Sequence, residues 1–259
     1  MRVEQLGTGE PEIAVIGSVH GDEPCGARAI ERFLSDPPSV ERPVKLIVAN
    51  EEALERDVRY IDADLNRAFD ASVPEDAHER ALSKRLTDEI RGCRVLSLHS
   101  TQSHADPFAI SAGIDGFVRD VVPKLSVVAL VDTGEQVEGR LFAAQADIIE
   151  VEAGHQHTDA AAENAYGLLR EFLTATGVLP GDSISRSVPV FELGDRIPKP
   201  PASEYRVYAS NFERVAAGER FAAADGETFV ADEPFYPVLL SAYGYADVFG
   251  YRSQPAGEL

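Results

Sequence analysis

The chain has 259 residues, 44% of them hydrophobic, which suits one large domain or one domain with a small appendage and supplies a real core. Its 44 acidic against 24 basic residues leave a net charge of −20, a surface that repels nucleic acid and anionic lipid. No apolar run reaches the roughly 18 residues of a membrane span, and the two cysteines, Cys25 and Cys93, make neither a disulfide framework nor a thiolate zinc cluster. The start MRVEQLGTGE lacks the marks of a signal peptide, so a cytoplasmic location is expected. Only Lys45, Lys84, Lys124 and Lys199 are lysines. The acidity suits a halophilic, salt-rich cytoplasm, where at about 1 M salt a Debye length of about 3 Å screens self-repulsion.

In chain order, EIAVIGSVH (12–20) has the pattern of a buried strand that ends in small residues and a histidine. EPCGARAIERFLSD (23–36) reads as a helix closed by Pro37 and Pro38. PVKLIVAN (43–50) is a second strand, EDAHERALSKRLTDEIRGC (75–93) a second helix, and RVLSLHS (94–100) a third strand, again ending in histidine. FAISAG (108–113) and LSVVALVD (125–132) read as further strands joined by a helical GFVRDVVPKL (116–125). ADIIEVEAG (146–154) is another strand, and TDAAAENAYGLLREFLTATG (158–177) a long helix capped by Thr158. Alternating strands and helices predict an α/β fold with a mostly parallel or mixed sheet flanked by helices. After about residue 180 the chain becomes rich in Pro, Gly, Tyr and Val. This divides it into a catalytic domain at 1–180 and a small β-rich C-terminal module at 181–259.

In open α/β sheets ligands gather at the carboxyl ends of the strands. Three such ends carry metal-compatible groups: His20 with Glu23, His99, and Glu152. His20 and Glu23 stand three apart across a tight Gly-Asp step, so both can face one ion. Two imidazoles and a carboxylate match a catalytic zinc shell with one open position, and they also suit other divalent metals. The segment RYIDADLNRAFD (59–70) adds Asn66 together with Arg59 and Arg67, two arginines whose guanidinium forks match carboxylates. Asp62 and Asp64 are placed to orient an arginine or a ligating histidine. His155 and His157 are expected in a loop or helix start, His104 and His78 at the surface, and Cys25 and Cys93 as buried structural thiols. Gly17, Gly21 and Gly26 do not have the spacing of a phosphate-binding fingerprint.

GSVHGDEPCG, ANEEALERDVRYIDADLNRAF, LHSTQS and EVEAGHQ together, in this order within residues 11–176, resemble the aspartoacylase and succinylglutamate desuccinylase family, relatives of the zinc carboxypeptidases. YPVLLSAYGY near the end adds weaker support. The resemblance implies a zinc carboxypeptidase-like fold and one Zn2+ per chain on His20, Glu23 and His99. It implies Glu152 as the catalytic base and then acid, and Arg59 as the group facing the developing oxyanion. Asn66 and Arg67 match the pair that grips the substrate's α-carboxylate, Tyr245 a substrate-contacting tyrosine with Tyr243 as fallback, and Arg140 is the nearest candidate for a side-chain carboxylate. Members often carry Asp two residues before the second histidine; here Ser97 stands there. The implied activity is zinc-dependent hydrolysis of the amide of a small anionic N-acyl amino acid. A metallocarboxypeptidase and a non-catalytic metal- or anion-binding protein are the alternatives. No nucleic-acid or membrane partner is expected, and a homo-oligomer is compatible with the chain.

Overall fold

Along the strand Ile13–Gly17, Ile13 and Val15 enter one apolar cluster while Ala14 and Ile16 enter another. The same alternation runs through the neighbouring strands, so the central sheet is buried on both faces. The computed structural model describes residues 1–134, 139–145 and 147–259. Its strands are β1 (Arg2–Leu6), β2 (Ile13–Gly17), β3 (Val44–Val48), β4 (Arg94–Thr101), β5 (Phe108–Ser111), β6 (Leu130–Asp132) and β7 (Ile148–His155), followed by β8 (Pro189–Pro198), β9 (Tyr205–Val207), β10 (Arg220–Ala224), β11 (Glu227–Val230), β12 (Tyr236–Val238) and β13 (Val248–Glu258). Its α-helices are α1 (Cys25–Ser35), α2 (Glu51–Glu55), α3 (His78–Ile90), α4 (Gly116–Val121) and α5 (Asp159–Ala175).

Ten strands form one mixed sheet in the order β1-β3-β2-β4-β7-β5-β6-β8-β13-β12. β2, β3, β4 and β7 run parallel, while β5 enters antiparallel between β7 and β6. One cluster lies between the sheet and α1, α4 and α5, and contains Phe33, Phe117, Leu168 and Phe172. The opposite cluster takes Leu82, Leu86 and Ile90 of α3, together with Val238, Leu239 and Tyr251. A side chain as fully buried as Phe172 contributes about 2–3 kcal/mol. A third cluster packs Phe221 of a separate sheet, β11-β10-β9, against Phe235 before β12 and joins Phe249 of β13, so it lies between that sheet and the main one. No helix among the described residues is long and apolar enough to cross a membrane.

The expected strand at 125–132 shrinks to β6, because an apolar run alone does not mark a strand's ends. Ala146, the first residue of the strand expected at 146–154, lies outside the described residues. Residues beyond 180 do more than form a small sheet: β8 pairs with β6, and β13 and β12 follow, so they continue the main sheet. The glycines near the first histidine serve close packing. A Cβ on Gly17 would lie 2.5 Å from the Gly26 carbonyl carbon, and one on Gly21 would lie 2.2 Å from Ala53. Helix α1 and the turn at His20 can therefore press directly onto their neighbours.

Candidate active site

Parallel pairing builds the site. Gly17 at the end of β2 lies beside Leu98 of β4, so the turn after β2 and the end of β4 open at the same sheet edge. On the other side, β4 and β7 pair with Ser97 opposite Glu150 and His99 opposite Glu152. Since side chains alternate along a strand, all four project to one face.

His20, Glu23 and His99 converge there, all buried, with one ligand-type atom from each lying within 4.8 Å of the others. The Glu23 carboxylate bridges the rings: Oε1 is 2.8 Å from His20 Nδ1 and Oε2 is 3.0 Å from His99 Nδ1. Each ring's other nitrogen has its own partner. His20 Nε2 is 3.0 Å from Asp64 Oδ1, and His99 Nε2 is 3.0 Å from Ser97 Oγ. His20 Nε2 also lies 3.0 Å from Arg59 Nη2, while both Nδ1 atoms face the Glu23 carboxylate, so the three side chains turn their ligand-type atoms toward one another as a shared divalent cation requires. Ser97 thus supports His99 in the place where members of the resembled family often carry an aspartate. Burial is the largest influence on His20 and disfavours its charge, but Glu23 and Asp64 together outweigh it and hold the imidazole's pKa up at about 9. The pocket is built for positive charge, and its donor set fits a zinc-type ion.

Glu152 lies beside this cluster, and its Oε2 is buried with no hydrogen-bond partner among the described residues. Burial, then the negative charges of Glu23 and Glu150, push its carboxyl up to about 7. An unpaired buried carboxylate with a pKa near neutrality, in a cleft, has the character of a proton-transfer group.

Asp64 caps a short 3-10 turn, Leu65–Arg67, accepting from Asn66 N at 2.8 Å. Arg59 is clamped by carboxylates: Nε and Nη2 donate to Asp64 Oδ2 at 3.2 and 3.1 Å, and Nη1 to Glu23 Oε1 at 3.1 Å. Asp64 therefore orients both Arg59 and His20. Asp62 does not join it; its Oδ2 accepts from His78 N at 2.8 Å, at the start of α3. Asn66 is partly occupied, donating to Glu150 Oε1 at 3.2 Å and accepting from Leu141 N at 2.8 Å. That bond, with Phe69 N to Gly139 O at 3.0 Å, ties segment 139–141 to the arginine loop and carries Arg140 to the site. Arg67 and Arg140 line the same cavity, and among the described residues neither forms an ion pair. Arg140 is 7% exposed and its Nε has no partner among the described residues.

The cavity, of about 60 Å³, is lined by these groups and by Tyr245, Gln102, Ser241 and Leu239. Tyr245 faces it, whereas Tyr243 is exposed on a neighbouring cavity. His104 and His155 also line that neighbouring cavity, His78 sits beside Glu52, and His157 precedes α5. The Cys25 thiol donates to His99 O at 3.2 Å and is pushed up to about 12 by burial and then by Glu23, which leaves it inert.

Three buried charged residues escaped the sequence reading. Glu150 could have been found from its spacing of two from Glu152 on the same strand. Glu79 accepts from the backbone N–H groups of Ile61, Asp62 and Ala63 at 2.7, 3.0 and 3.0 Å, and from Asn50 Nδ2 at 3.0 Å, pinning the loop that carries the arginines. Lys199 donates to Ala242 O at 3.1 Å and to Tyr245 O, fixing the segment that bears Tyr245.

Residues 10–165 match the succinylglutamate desuccinylase/aspartoacylase catalytic domain. An N-acyl-aromatic-L-amino acid amidohydrolase (carboxylate-forming) of Xenopus laevis is 26% identical over 253 residues, covering 88% of this chain and 79% of its own length. An aspartoacylase of Rattus norvegicus is 40% identical over 82 residues, 30% of this chain and 24% of that protein. The crystal structure of murine aminoacylase 3 superposes with a TM-score of 0.74 at 20% identity, covering 97% of this chain and 99% of that one. Succinylglutamate desuccinylase of Vibrio parahaemolyticus superposes at 0.71 and 17% identity, covering 98% and 86%. At these identities the structural matches speak for the fold alone.

Proposed function

This chain belongs to the succinylglutamate desuccinylase/aspartoacylase family, and on that premise we propose that it is a zinc-dependent amidohydrolase that cleaves the amide bond of a small anionic N-acyl amino acid. One observation carries the reading: the unpartnered Glu152 oxygen adjoins a two-histidine, one-glutamate cluster in a cavity that also holds Arg67 and Arg140 without carboxylate partners among the described residues. In a chain of net charge −20, guanidinium groups that line a cavity without carboxylate partners among the described residues are matched to an anionic guest.

His20, Glu23 and His99 would hold one zinc ion, which supplies Lewis acidity toward the amide carbonyl and acidifies water. Asn66 and Arg67 grip the α-carboxylate. Arg140 takes a second carboxylate, which favours an acidic amino acid. Arg59, kept in place by Asp64 and Glu23, faces the carbonyl oxygen as it gains negative charge. Glu152 accepts a proton from the attacking water and delivers it to the departing nitrogen. Tyr245, from the 181–259 module, closes the wall opposite the 1–180 domain and limits the site to small substrates. The acidic surface fits work in a salt-rich cytoplasm.

The test is a panel of N-acyl amino acids and dipeptides with zinc-loaded protein in molar salt. We expect deacylation that falls at least about a hundredfold in Glu152→Ala, the usual size of a general acid–base contribution. Dipeptide trimming without deacylation would replace this reading with a carboxypeptidase, and ligand binding without any turnover would replace it with a binding protein.

A further inference from the structure

A second, larger cavity of about 540 Å³ adjoins the first, and the two share Gln102 and Ser241 as lining residues. We propose that it receives the acyl half of the substrate and selects acyl groups that carry no negative charge. The inference rests on the deacylase reading above and sharpens its substrate class.

Orientation follows from charge. Arg67 and Arg140 both line the inner cavity, so the carboxylate-bearing amino-acid half belongs inside. The acyl half must leave the reacting carbonyl in another direction, and the adjoining space is the outer cavity. No lysine or arginine is among the residues lining it, whereas Asp106 and Glu213 are. A carboxylate at the end of an acyl chain would find no guanidinium or ammonium partner there among the described residues and would meet two negative charges. A neutral acyl group meets none of these costs.

The outer cavity is also preformed. Asn211, 5% exposed, donates to Ser103 O at 2.7 Å and Leu240 O at 3.1 Å and accepts from Leu240 N at 2.7 Å. It thereby braces the loop after β4 against the segment after β12. The His104 ring stands edge-on to Phe212, with centroids 5.3 Å apart, and Nδ1 is 3.0 Å from Asp106 O. The cavity wall joins Val207, Ala209 and Leu240 to imidazole, phenol, amide and hydroxyl groups, which suits a bulky neutral group, aromatic or medium-chain, better than an acetyl alone. The geometry points to N-acyl amino acids with an acidic amino-acid half and a large uncharged acyl half.

The test compares N-acetyl-, N-benzoyl- and N-succinyl-aspartate on the zinc-loaded protein, with binding to Glu152→Gln protein followed by calorimetry. We expect kcat/KM for the benzoyl compound to equal or exceed that for acetyl, and succinyl to lie at least tenfold below both, with the same ranking in Kd. Ala105→Trp and Ser210→Trp, at two exposed positions lining the outer cavity, should each lower the benzoyl-to-acetyl ratio at least tenfold. Glu213→Arg should raise the succinyl-to-acetyl ratio severalfold. Preference for succinyl, or ratios unmoved by both tryptophans, would overturn the inference while leaving the deacylase reading intact. Absence of both turnover and binding for all three would overturn that reading and this inference with it.

Discussion

Glu79→Gln should damage both stability and catalysis, although Glu79 touches no reacting group. Its two carboxylate oxygens accept four hydrogen bonds, from Asn50 and Ile61 on Oε1 and from Asp62 and Ala63 on Oε2. Glutamine keeps the shape but turns one oxygen into an NH2 group facing two donors. Two charge-assisted bonds are lost, each worth about 1.5–3 kcal/mol, so the expected destabilisation is about 3–6 kcal/mol, a large share of a total of about 5–15. Arg59, Asp64, Asn66 and Arg67 ride on the loop these bonds pin, so kcat/KM should fall at least about tenfold, since a misplacement near 1 Å has that effect or more. Urea titration at constant molar salt measures the first effect, and turnover of an N-acyl amino acid the second. The pH dependence has a defined sign. Burial alone would raise this carboxyl, but the three backbone N–H groups and Asn50 hold it below its ordinary value of 4.5. Its contribution is therefore full above that value and fades as pH falls below it, so the gap between wild type and variant should close in acid. A Glu79→Gln protein within about 1 kcal/mol of wild type near neutral pH would refute the account of how the loop is held.

The Glu152 carboxyl, raised from 4.5 to about 7, makes the opposite prediction. Keeping it ionised when folded costs about 3 kcal/mol, at about 1.4 kcal/mol per pH unit, so metal-free Glu152→Gln should be more stable than wild type above pH 7, with the gain vanishing below about 4.5; urea titrations at several pH values check it. Arg140→Leu should lower kcat/KM for N-acyl aspartate roughly 10- to 100-fold, the size of a lost charge-assisted pair, and leave the derivative of a neutral amino acid little changed. Chelation should lower the melting temperature and readdition of zinc should restore it, because an ion that binds only the folded chain stabilises it; calorimetry measures both. Lys199→Met removes the ammonium that holds Ala242 O and Tyr245 O, and should raise KM several-fold more than it lowers kcat.

Much of the architecture was legible because the decisive signals are local. The apolar runs of β2, β3, β4 and β7 and the periodic helices α1, α3 and α5 identify themselves, and Thr158 caps α5 with its hydroxyl accepting from Ala161 N. The polar segment RVEQL was missed as β1: it is an edge strand, held by pairing with β3 rather than by an apolar pattern. The insertion of β5 between β7 and β6 could not be read either, since strand order depends on which faces meet. At the site, the strand-end rule brought out His20, Glu23, His99 and Glu152. Glu79 and Lys199 stayed hidden because each acts through partners 16 or more residues away, and a lone charged residue in sequence carries no mark of being buried. Arg140 came within reach only through the tether from Leu141 to Asn66.

Because β8 hydrogen-bonds along β6 and passes the sheet on to β13 and β12, the final third of the chain is no detachable accessory. Cutting it away would bare β6 as a raw edge open to aggregation, and would strip Val238, Leu239 and Tyr251 from a main core cluster. Evolution can therefore rewrite the turns between these strands while the strands themselves stay fixed, and divergence in substrate range should concentrate in the stretch 239–246.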